Sequence, residues 1–216
     1  QRAERDLSNR FQVVPANFRG NRRANQVTQA EYDQIARTYS DIRLGRGDLT
    51  IDTSEMTPGS KQERDYRSGT MNALADMMMT RSGRAQVMGM SNNVVRGDDG
   101  RPRLGADGHE QHHRTNIRAL YQDANGDDNL TNDPHTAANY DNTNAFADAR
   151  GAHGEAGAID TSGRSRWSRD TAGSRGQGTD STIWWNPMAS PGGTNRADVV
   201  LAHEMQHSLH ETQGTM

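Results

Sequence analysis

His203, Glu204 and His207 stand in the order H-E-x-x-H inside the stretch 199–211, VVLAHEMQHSLHE. On a helix turning about 100° per residue, positions four apart lie within about 40° of each other, so both imidazoles can face one ion. Glu204 then falls roughly 100° from His203, beside the ion rather than on it. A zinc hydrolase uses this set, with two neutral imidazoles as ligands and a carboxylate that takes a proton from water. His203 and His207 are therefore the candidate metal ligands, Glu204 is the candidate catalytic residue, and Zn2+ is the expected cofactor.

Such residues need a rigid element beneath them. Leu201, Ala202, Met205 and Leu209 occupy the arc opposite the histidines, so the helix can bury its back in a core and turn its metal face to a cleft. Asn195 and Asp198, three apart, have capping-box spacing and put the helix start near Arg196. A second H-E-x-x-H, at His109, Glu110 and His113, lacks this support. It follows Gly105, Asp107 and Gly108, precedes Arg114 and has no apolar stripe, so it reads as a polar loop or helix start.

The chain has 216 residues, a hydrophobic fraction of 31% and 22 glycines. These fit one small core with long loops. With 25 basic against 28 acidic residues the net charge is −3, which gives no reason to expect a nucleic-acid partner. Cysteine is absent, so any metal site must use histidine and carboxylate ligands. No run approaches the ~18 apolar residues of a membrane span, and no membrane partner is expected.

Residues 1–27 read as a polar N-terminal arm with one short strand around Phe11, Val13 and Val14, and 28–216 as the domain. Thr28 and Glu31 form a capping box before a helix carrying Tyr32, Ile35, Ala36 and Tyr39. A strand is expected over 49–52. A second helix follows from Ser60 and Glu63 to about Thr80, with a core stripe of Tyr66, Met71, Leu74, Met77 and Met78. Ser82 and Gly83 restart a short helix that Gly89 would end. Residues 93–96 and 101–104 flank Asp98, Asp99 and Gly100 as a hairpin with a D-G turn.

From 105 to 177 the sequence is a long polar insertion, with Ile117, Leu120 and Tyr121 on one expected helix. A loop region of this size suggests a lid over a cleft or a surface for a partner. Asp123, Asn125 and Asp127 alternate like the first ligands of a calcium loop, but Asp128 and Pro134 occupy the positions of its glycine and glutamate. A full EF-hand is excluded; a looser ion site and a solvated turn stay open. Residues 182–186, TIWWN, form the strongest strand after the insertion. Trp184 and Trp185 must face opposite ways, one into the core.

The ordered series LADMMMTRSGRAQVM, STIWWNP and RADVVLAHEMQHSLH, over about 74–210, resembles the HExxH zinc metallopeptidase effectors of the NleD and HopH kind. That family also occurs as C-terminal toxin domains of Rhs-type proteins. The resemblance implies an α+β, zincin-like fold: a small twisted sheet packed on helices, an edge strand over the cleft and an HExxH active-site helix. The edge strand would be 182–186, taking peptide by strand addition. It further implies that His203 and His207 bind zinc, that Glu204 is the general base, and that the protein is a secreted or injected effector or toxin. Its substrate would be a specific host or competitor protein, and the chain could belong to a larger toxin or secretion-system protein.

A catalytic zinc site normally carries three protein ligands. Metzincin spacing is ruled out, because His210 and Gln213 stand where its glycine and third ligand would be. His210 lies about 10 Å along the axis from His203 and reads mainly as a cleft-wall residue. Either the domain is cut short at its C-terminus, which is the expectation, or the third ligand comes from upstream, with His153, Glu155 and Asp160 as candidates. The alternative function is an inactive or degenerate secreted interaction module, which a chelator would not affect.

Overall fold

The computed structural model describes residues 7–122, 128–129, 146–149, 178–187 and 196–215. Near the N-terminus β1 (Gln12–Val13) and β2 (Gln26–Val27) pair in parallel. Leu7, Phe11 and Val27 enter the same apolar core as the helices that follow, so this segment packs on the body. Thr28 caps α1 (Gln29–Arg43) through Glu31 N, and the Glu31 carboxylate accepts from Thr28 N at 2.6 Å, completing the expected box. Ile35, Tyr39 and Ile42 form the buried stripe of α1.

After β3 (Leu49–Ile51), Ser60 caps α2 (Lys61–Met78), which buries Tyr66, Met71, Leu74, Met77 and Met78 as the spacing requires. Thr80 caps α3 (Arg81–Ser91). Gly89 lies inside α3 rather than ending it. The helix runs on to Ser91 because Val87 and Met90, both fully buried, hold its last turns against the core and outweigh the weak helix preference of glycine.

The expected hairpin is present: Arg96 and Pro102 form an antiparallel bridge, and Arg101 O accepts from Gly97 N at 2.9 Å. A second turn brings Leu104 opposite Glu110. The segments then close in a ring, Val95 donating to Gln111, Gln111 to Arg103 and Arg103 to Val95, each at 2.8 Å. The buried Asp48 carboxylate anchors this unit, accepting from Asn93 N and facing His112 Nδ1, both at 2.7 Å.

The chain continues through β4 (Thr115–Arg118), β5 (Tyr121–Gln122), β6 (Asp128–Asn129), β7 (Phe146–Ala149) and β8 (Ser181–Trp184) to α4 (Ala197–Gln213). The main sheet has the order β3-β4-β8-β7, with β3, β4 and β8 parallel and β7 antiparallel to β8. Two expectations need correction. Ile117 belongs to a central strand, not to a helix through Leu120 and Tyr121: Thr115 and Ile117 are buried between β3 and β8, and the ladder satisfies the backbone. The region 105–177 therefore contributes a strand to the middle of the sheet. The strand at 182–186 is also not at an edge, since β4 and β7 flank β8, and among the described residues the edge beside it is β7. Whether a short strand lies at the edge or in the centre depends on pairing with residues distant in the chain, which its own sequence does not carry.

Of the two tryptophans, Trp185 is fully buried and Trp184 half-buried. The Tyr66 hydroxyl donates to Trp185 O at 3.1 Å, and the Trp185 indole donates to Ala197 O at 3.0 Å. One aromatic residue thus joins α2, β8 and the first turn of α4. Beside it, buried Asn186 both donates to Leu120 O (2.8 Å) and accepts from Leu120 N (3.1 Å), locking together the ends of β4 and β8.

Candidate active site

The α4 helix starts where the sequence indicates, with Arg196 as cap residue. Its guanidinium forks the Asp198 carboxylate at 3.0 and 2.7 Å, while Asn195 lies outside the described residues. At the other end Gly214 adopts a left-handed conformation (φ 61°), and Thr215 N donates to His210 O at 2.9 Å.

Two kinds of contact fix how α4 is turned. Its N-terminal half buries Val200, Leu201 and Met205 in the core, with Ala202 and Leu209 packed at the margin, as the apolar arc requires. Its C-terminal half is held by buried polar groups. Ser208 Oγ lies 2.9 Å from Thr115 Oγ1 at the start of β4, and Ser181 Oγ at the start of β8 donates to the Glu211 carboxylate. Gln213 donates to Asn93 Oδ1 (2.7 Å) and Val94 O (3.1 Å) and accepts from Arg96 N (3.2 Å), joining the helix to the ring of hairpins. Gly178 passes so close that a Cβ there would sit 2.1 Å from Thr212 O, and its φ is +71°.

With its back so held, α4 presents His203 and His207 to solvent. Their Nε2 atoms are 3.0 Å apart, with ring centroids at 4.6 Å and planes at 80°. Two nitrogens bound at ~2.05 Å to one tetrahedral zinc lie roughly 3.3 Å apart, so the pair fits one ion with little movement. Glu204, between them in the sequence, is buried at 8% exposure. His210 Nε2 lies 2.8 Å from Gln206 Nε2, which ties it to its own helix rather than to the pair. Among the described residues no third histidine or carboxylate joins His203 and His207. The upstream candidates His153, Glu155 and Asp160 lie outside the described residues, as does the Asp123–Asn125–Asp127 run.

The other H-E-x-x-H is not helical. His109 and Glu110 are exposed on the second hairpin, and His113 sits 3.6 Å from Asp180. Extended chain separates residues four apart by roughly 13 Å, too far for one ion. Sequence reasoning missed the Asp48–His112 pair and the strand β7. Only the weak alternation of FADA, 146–149, marks β7 locally, and its pairing with β8 is long-range.

A helix with two converging imidazoles, laid across a small mixed sheet, belongs to an α+β protein. Residues 52–216, most of the chain, match the Peptidase M91 family, described as effector protein, and the chain belongs to that family. It is thus a peptidase of the effector class, which implies a protein substrate. No curated protein and no solved structure matches the chain. Among the described residues no helix is long and apolar enough to cross a membrane.

Proposed function

We propose that the chain is a zinc-dependent endopeptidase, delivered as a secreted or injected bacterial effector or toxin, that hydrolyses a peptide bond of one specific protein in a host or competitor cell. The observation that carries this reading is the 3.0 Å approach of His203 Nε2 and His207 Nε2 on the exposed face of a helix whose opposite face is buried. Zinc bound there would polarise the scissile carbonyl and acidify the attacking water. His203 and His207 would hold the ion, and one of His153, Glu155 or Asp160 is the upstream choice for a third ligand. Glu204 takes the proton of the attacking water and passes it to the leaving amine as the C–N bond breaks. The substrate backbone would add to the sheet along β7, the edge beside β8 among the described residues.

The test is Glu204→Gln. The variant is expected to keep about one zinc per chain and to lose at least ~100-fold in hydrolysis, as loss of a general base does. Turnover equal to wild type would remove Glu204 from the chemistry.

A further inference from the structure

We infer that a pocket on the flank of α4, beginning one turn before His203, receives an apolar side chain of the protein substrate; this rests on the peptidase reading above. The pocket has a volume of about 450 Å³ and lies between the end of α2, the start of α3 and the N-terminal half of α4. Val199 and Ala202 form its α4 wall. Val199 precedes His203 by four residues, about 6 Å along the axis, and Ala202 is the neighbour of His203. Extended polypeptide advances about 3.3 Å per residue. A substrate whose scissile bond lies over the two histidines therefore brings a side chain two or three residues away to the pocket mouth.

The chemistry of the walls says which side chain fits. Met77, Met79, Val199 and Ala202 supply apolar surface. Val199 is 53% exposed on a helix whose Leu201 and Met205 are fully buried. The charges at the rim are spent on one another: Arg196 forks Asp198, and Arg10 pairs with Asp76. Those four groups sum to zero, and the Gln86 amide is occupied with Ala202 O at 3.0 Å. A charged substrate group would lose hydration here and meet, among the described residues, only charges already paired at the rim, whereas an aliphatic or aromatic one gains by leaving water. Methionine walls adjust to several shapes, so the expected preference is for Leu, Met or Phe as a class.

Two measurements separate the pocket from the chemistry. Wild type, Val199→Asp and Ser82→Trp, each carrying 13C-labelled methionine methyls, are titrated with N-acetyl-leucinamide, N-acetyl-phenylalaninamide and N-acetyl-lysinamide. The expected result is a saturable shift of the Met79 methyl with the first two probes in wild type, absent with the third and absent in both variants. Zinc-loaded wild type and Val199→Asp then digest a degenerate peptide library. One position within three residues of the cut should be enriched about tenfold or more in Leu, Met and Phe, and Val199→Asp should erase that enrichment. No saturable shift, equal binding of the lysine probe, or a cleavage profile untouched by Val199→Asp would each overturn the inference. If the apolar probes bind as expected but wild type cuts nothing, the peptidase reading fails and the substrate role of the pocket with it.

Discussion

A neutral imidazole carries one N–H and one lone pair, so two Nε2 atoms at 3.0 Å either share a proton or turn both lone pairs to a cation. The turn of α4 that exposes the pair is fixed by contacts farther along the helix. Ser208, Glu211 and Thr212 are buried polar groups in the C-terminal half of the helix, and each must be satisfied where it sits. Gly178 makes the tightest of these contacts possible, because a side chain there would meet Thr212 O and would need a left-handed backbone. Gly178→Ala should cost about 2–4 kcal/mol, read as a lower urea midpoint at unchanged slope. A variant as stable as wild type would mean that the segment at Gly178 leaves room for a side chain against α4.

The helices differ in what holds their ends. At the start of α1 the Glu31 carboxylate accepts from the Thr28 backbone and pairs with Arg22 at 2.6 Å. The Thr28 hydrogen bond first, and Arg22 second, lower its pKa from 4.5 to about 2. A carboxylate whose folded pKa is depressed adds stability that is complete above the unfolded value and lost as pH falls through the folded one. Its contribution should thus be full above pH 4.5 and fade towards pH 2. Between about pH 5 and about pH 3, wild type should lose more stability than Glu31→Gln, measured by urea midpoints. Parallel pH profiles for the two proteins would dissociate the cap from stability. At α4 the acid lies at Asp198 in the first turn, but its partner is the adjacent Arg196, so the start of the helix is tied by an ion pair instead of a side-chain cap.

At the scale of the whole molecule, a sheet of three parallel strands and one antiparallel strand supports α4 across β8 and β7. If His203 and His207 hold zinc as proposed, both ligands come from a helix that the core already fixes, and bound metal would stabilise the folded chain by linkage. Saturation at about a hundred times Kd should raise the melting temperature by about 5–10 °C, and a chelator should reverse it. His207→Ala should melt at the same temperature with and without zinc. A zinc-dependent shift that survives in His207→Ala would move the metal elsewhere in the chain.

What the sequence determined by itself was local. The HExxH spacing, the apolar arc of Leu201 and Met205, the box at Thr28 and Glu31, and the Met-rich stripe of α2 depend on residues three or four apart, and helix geometry makes such patterns readable. The same periodicity misled at Ile117, Leu120 and Tyr121, where burial between two other strands decides the outcome. Tertiary structure alone decided that β8 is internal, that β7 is the edge among the described residues, that Trp185 and not Trp184 is the core residue, and that Ser181 and Thr115 set the turn of α4. Each of these joins residues distant in the chain, whose pairing is chosen by the summed burial of the core and by the need of every buried polar group for a partner.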